Sequence, residues 1–127
     1  MSNLRTPLSE VKGHGSAKDG TSHFWVQRLT AIAMVPLVLW LCFSVASLPG
    51  MTQAEIRTWI SEPFTAVILI LLILTGFYHA KLGLQMVIED YIGNHGPRTA
   101  VIIGVTMLCV FMAVLGLFSV LRIAFTL

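Results

Sequence analysis

Three side chains at the heart and end of one apolar stretch carry most of the chemistry this sequence offers. His79 stands within the run from Phe64 to Ile88, and Asp90 and Tyr91 follow where that run stops. Asp90 comes eleven residues after His79, which at about 100° per residue returns it to nearly the same helix face, about 16 Å further along. An ionisable group at mid-depth in a bilayer costs about 2.5–3.5 kcal/mol and usually faces a bundle interior or a functional site. The imidazole there is either a hydrogen-bonded packing residue or a ligand. Gly76, Ala80 and Gly83 form a small-residue stripe beside it, suited to close helix packing and equally to leaving room for a flat macrocycle. Zinc needs three or four ligands, which argues against a zinc site built by this chain alone. Haem iron can take one histidine from each of two helices, and the spans here offer one. The Tyr91 phenol is either an interfacial tyrosine or a hydrogen-bond donor of the kind that recognises a quinone carbonyl. Asp90 beside it can orient an arginine or relay protons, of which a quinone collects two on full reduction.

The elements that must position these groups are membrane helices. The chain has 127 residues, 56% hydrophobic and 11% charged, a composition outside the soluble range. Its long apolar runs, 29–48, 64–88 and about 100–122, each approach or exceed the roughly 20 residues that cross a hydrocarbon core. The predicted fold is therefore all-α, with three transmembrane helices forming part of a heteromeric bundle. Residues 1–20 form a polar tail and 21–127 the membrane domain. The first run starts late, spans the full width and lacks a small-residue cleavage site, which argues against a signal peptide. Cys42 and Cys109 fall inside spans and are expected to be small packing residues. A net charge of +2 is too small to imply a nucleic-acid partner. Arg5, Lys12, Lys18 and Arg28 precede the first span and Arg98 lies in the second loop. The positive-inside bias then places the amino terminus on the cytoplasmic side, or the matrix side in an organelle.

Taken in order, the tail contains His14 in a Gly-rich setting, expected to be solvated. Ser22 is placed to cap a helix beginning in the interface, and Phe24 and Trp25 suit the aromatic belt. Arg28, at the mouth of the first span, either snorkels as a depth anchor or points into the bundle towards an anion, Asp90 or a cofactor carboxylate; its planar fork suits the second task. Pro36 is expected to kink the first helix, and Leu48-Pro49-Gly50 to end its span. Thr52 and Glu55 have capping-box spacing ahead of a short interfacial helix, with Trp59 as a belt residue. Lys81 points roughly opposite to His79. Gly93, Asn94, Gly96 and Pro97 mark a reversal with His95 as a turn residue. The third span is a packing helix with Arg122 anchoring its far end.

The segment His23-Phe24-Trp25-Val26-Gln27-Arg28-Leu29-Thr30-Ala31-Ile32, followed by His79-Ala80, Gly83 and Asp90-Tyr91, resembles the small cytochrome b membrane-anchor family of succinate dehydrogenase, respiratory complex II. The resemblance covers nearly the whole chain. It implies that His79 is an axial ligand of haem b, with the second ligand supplied by the companion C-type anchor. It likewise implies that Tyr91 hydrogen-bonds ubiquinone near the iron-sulfur subunit with Asp90 in support, and that Arg28 lies near the haem propionates and the quinone. His23 is carried over as a further cofactor-binding position. Lys81 matches no functional position of the family. The implied setting is a bacterial inner membrane, or its mitochondrial equivalent, in a complex whose flavoprotein and iron-sulfur subunits oxidise succinate.

No nucleophile–base pair, phosphate loop or metal-ligand cluster suggests a self-contained enzyme. The expected role is a non-catalytic anchor that positions a cofactor and a substrate. The alternatives are a purely structural three-helix adaptor, or the anchor of a related fumarate reductase.

Overall fold

The computed structural model describes residues 6–8 and 18–125, and every regular element assigned among them is α-helical. Helix α1 spans Lys18–Ala46, α2 Gln53–Ser61, α3 Pro63–Tyr91 and α4 His95–Phe125. The three long helices are apolar and long enough to cross a bilayer. In hydrocarbon no water is available for backbone N–H and C=O groups, so each segment must satisfy them internally, and a helix does so within itself. His14 and most of the expected tail lie outside the described residues.

The connections follow local chemistry. Past α1, the Leu48 carbonyl accepts from the Met51 N–H at 3.0 Å across Pro49 and Gly50. Gly50 has φ +91°, the geometry that a turn with proline second and glycine third requires. Thr52 then caps α2 through the expected reciprocal box. Its backbone N–H and hydroxyl donate to Glu55 Oε2 at 2.6 and 2.8 Å, and its hydroxyl accepts from the Glu55 N–H at 3.4 Å. Pro63 opens α3, where its missing N–H would have been unpartnered anyway.

Two local expectations change. Ser22 is no cap, because α1 has already begun at Lys18. The reversal between α3 and α4 is only residues 92–94, so His95, Gly96 and Pro97 form the first turn of α4. The Asn94 carbonyl accepts from the Arg98 N–H at 3.1 Å. Proline is tolerated there because a helix's first turn needs no intrahelical donors.

Helix α3 is the centre of the molecule. It packs against α1 on one flank and α4 on the other, whereas α1 and α4 do not meet. Leu82 and Ile88 of α3 and Cys109 and Val120 of α4 are buried. At the end of the molecule away from Tyr91, Trp40 of α1 stacks on Trp59 of α2 at 6.0 Å, and Phe64 of α3 meets Trp40 edge-on at 6.3 Å. The expected belt tryptophan is thereby also a clasp holding α2 to the bundle.

Little else is enclosed. Phe43 is 75% and Ile32 69% exposed, and such large apolar surface is stable only against lipid or another protein. The α3–α4 seam is closer. A Cβ on Gly116 would stand 3.3 Å from both Cδ1 and Cγ2 of Ile73, and Cγ2 belongs to a β-branched side chain that is stiff in a helix. Gly116→Val is therefore expected to destabilise the α3–α4 pair by about 1–3 kcal/mol, with Gly116→Ala costing less. Unfolding curves in mixed micelles check this, and a valine variant as stable as the parent would contradict it.

The capping box is expected to be pH-dependent. Hydrogen bonds from the backbone and then the hydroxyl of Thr52 hold the Glu55 carboxyl below its ordinary value of 4.5. A folded value below the unfolded one means the cap's contribution is complete above the unfolded value and is lost as pH falls through the folded one. The Thr52 amide proton shift should therefore titrate with a midpoint below 4.5. A midpoint at or above that value would show the box open in solution.

Candidate functional site

In its amino-terminal half, α1 carries His23, Gln27 and Thr30 at intervals of four and three residues, which makes one polar stripe. Two contacts place the stripe against α3. The Thr30 hydroxyl oxygen lies 2.9 Å from His79 Nδ1, and Gln27 Nε2 lies 3.4 Å from where a Cβ on Gly83 would stand. The small-residue stripe of α3 is thus divided in use. Gly83 lets the Gln27 amide approach, while a Cβ at Gly76 would meet nothing within 4 Å.

The Thr30 hydroxyl also sits 2.9 Å from the carbonyl oxygens of both Val26 and Gln27, the usual local bonding of a threonine inside a helix. His79 is half-buried. Its Nδ1 is engaged by Thr30, and its Nε2 has no hydrogen-bond partner among the described residues. His23 Nε2 and Gln27 Oε1 are buried without a partner among the described residues. A buried polar atom left unpaired costs about 1–3 kcal/mol, so the stripe is chemically incomplete in the isolated chain.

The remaining candidates lie apart. Arg28 is exposed, its guanidinium carbon 4.4 Å from the centroid of the Phe24 ring. Within this chain the arginine rests on that aromatic face and makes no ion pair with Asp90, one of the two anions considered for it. Asp90 is exposed and Tyr91 is 86% exposed at the end of α3. The neighbouring Glu89 is engaged by its own helix, accepting from Gln85 Nε2 at 2.8 Å. Helix geometry separates Tyr91 from His79 by about 18 Å along the axis.

Lys81 lies on the other flank, lining an apolar groove of about 390 Å³ between α3 and α4 with Tyr78, Thr106 and Cys109. Cys109 is buried in that seam, whereas Cys42 is exposed on α1.

Gln27 and Thr30 belong to this site although their residue types alone did not mark them. The available signal was their helical spacing with His23 in a span poor in polar side chains.

Helices that pair through isolated polar side chains, leave large apolar faces open and end in an exposed acid-phenol pair define a multi-pass membrane protein made for assembly. Residues 2–121 match the family model described as "Succinate dehydrogenase/Fumarate reductase transmembrane subunit". The succinate dehydrogenase hydrophobic membrane anchor subunit of Rickettsia bellii is 35% identical over 112 residues, 87% of this chain and 89% of that protein. The same-named subunit of Paracoccus denitrificans is 31% identical over 100 residues, 79% of this chain and 78% of its own. The membrane anchor subunit of Reclinomonas americana is 32% identical over 95 residues, 67% and 72% of the two chains. The chain belongs to the succinate dehydrogenase/fumarate reductase transmembrane subunit family, and it is a membrane anchor.

Proposed function

We propose that this chain anchors a succinate:ubiquinone oxidoreductase. It would seat the iron-sulfur and flavoprotein subunits on the membrane, share one haem b with a companion anchor, and form part of the ubiquinone site. The observation that carries the reading is the state of His79, half-buried in the central helix with one ring nitrogen bonded to α1 and the other without a hydrogen-bond partner among the described residues. Ligating histidines are characteristically held in this way, with the second nitrogen tied to a neighbouring group. The open wall at Gly76 supplies room beside the helix. These residues fit a haem, which when bound would supply one-electron redox chemistry.

The chain's own residues have separate tasks. His79 Nε2 offers a lone pair, and Arg28 at the mouth of α1 offers a cation able to take up a propionate once it leaves the Phe24 ring. His23 Nε2, buried and unpartnered, is available to a cofactor carboxylate or a companion helix. Tyr91 donates a hydrogen bond to a quinone carbonyl at the membrane edge, and Asp90 supports that end by orienting donors or passing protons. The positive-inside bias puts the Asp90-Tyr91 end on the cytoplasmic or matrix side, where the soluble subunits would dock.

The relatives reported above bear succinate dehydrogenase names, which favours succinate oxidation over the fumarate-reducing alternative. A purely structural adaptor would use Thr30–His79 only as a packing bond. Co-expression with the companion anchor and soluble subunits distinguishes the two. The purified assembly is expected to contain all four polypeptides and to give a low-spin b-type spectrum on reduction. A stable four-subunit assembly without haem would leave the adaptor reading.

A further inference from the structure

We infer that Thr30 is a positioning residue for His79, selecting the imidazole tautomer that keeps the Nε2 lone pair free; the inference rests on the reading of His79 as a haem ligand. A threonine hydroxyl has one proton and two lone pairs. Here its oxygen lies 2.9 Å from three atoms: the carbonyl oxygens of Val26 and Gln27 and Nδ1 of His79. The carbonyls can only accept. If the hydroxyl proton went to Nδ1, both carbonyl oxygens would face Thr30 Oγ1 at hydrogen-bond distance with no proton between them. If it goes to the carbonyls, both oxygens share a donor, and Oγ1 presents its lone pair to Nδ1. The second arrangement requires a proton on Nδ1.

A neutral imidazole holding its proton on Nδ1 has its lone pair on Nε2. The carbonyls are fixed by α1, and the β-branched side chain settles into rotamers that bond the preceding turn, so the choice is made before any ligand arrives. Accepting from Nδ1–H also increases the electron donation available at Nε2, the effect by which hydrogen-bonded histidines bind metals more tightly.

The test uses the assembled complex carrying Thr30→Val, which keeps the side-chain volume and removes the hydroxyl, and Thr30→Ser, which restores it. Haem transfer to excess apomyoglobin is expected to be 10–100-fold faster from the valine variant and close to the parent rate from the serine variant. The valine variant's midpoint potential is expected to move positive, because a poorer donor stabilises the ferric state less, and serine is expected to reverse the move. Loosened packing alone would not produce a shift of defined sign that serine rescues. If the valine complex fails to assemble, Thr30→Ala replaces it in the same comparison. Haem release and potential unchanged from the parent, with the spectrum still dependent on His79, would overturn the role of Thr30 and leave the ligand reading intact. A low-spin spectrum that survives His79→Ala would overturn both.

Discussion

His79→Ala in the assembled complex is expected to abolish the low-spin b-type haem spectrum. On the proposed reading, a single ligand from the companion anchor would leave the iron short of the six-coordinate, low-spin state. His23 of α1 lies seven residues, about two helical turns, before Thr30, the residue that meets His79. The alanine also strands the Thr30 hydroxyl oxygen, but that hydroxyl retains its carbonyl partners, so the loss should fall on the cofactor and not on the fold. Subunit composition and far-ultraviolet circular dichroism of the variant separate the two. An intact assembly with an unchanged reduced spectrum would remove His79 as ligand.

Tyr91→Phe should divide the complex's two activities. The phenol is 86% exposed and ends α3, so phenylalanine leaves packing unaltered and removes one hydrogen-bond donor. Loss of a donor that polarises a carbonyl in the reacting state is worth about 1.4–3 kcal/mol, or about 10–100-fold in rate. Reduction of ubiquinone should slow by that factor, while oxidation of succinate by an artificial acceptor coupled to the soluble subunits should be unaffected. Equal rates of quinone reduction in parent and variant would reject the proposed bond. A parallel fall in both activities would place Tyr91 in subunit docking instead.

Much of this arrangement was legible before any coordinates. Three spans follow from the lengths of the apolar runs, because a backbone in hydrocarbon can satisfy itself as a helix. The Thr52–Glu55 box follows from residue types three apart, since both hydrogen bonds close within one turn. The turn at Gly50 was similarly marked by its Pro-Gly pair. Where the reading slipped, adjacent helix residues were the cause. Ser22 was an apt cap, but α1 already runs from Lys18, and His95, Gly96 and Pro97 satisfy the first turn of α4 as well as they would a loop.

The sequence by itself determined the number of spans, the place of His79 within the second span and the register that brings Asp90 back to its side, because these depend only on the length of the apolar runs and on helix rise and rotation. Tertiary structure decided which neighbours those side chains meet. It made α3 the central helix, put Thr30 and Gln27 opposite His79 and Gly83, and turned Lys81 towards a groove on the other flank. It also laid Arg28 on Phe24 instead of pairing it with Asp90. Periodicity states which residues share a face, but in a membrane many faces are apolar and nearly equivalent in transfer energy. The choice of partner then depends on a few polar contacts and small residues whose complement lies on another helix.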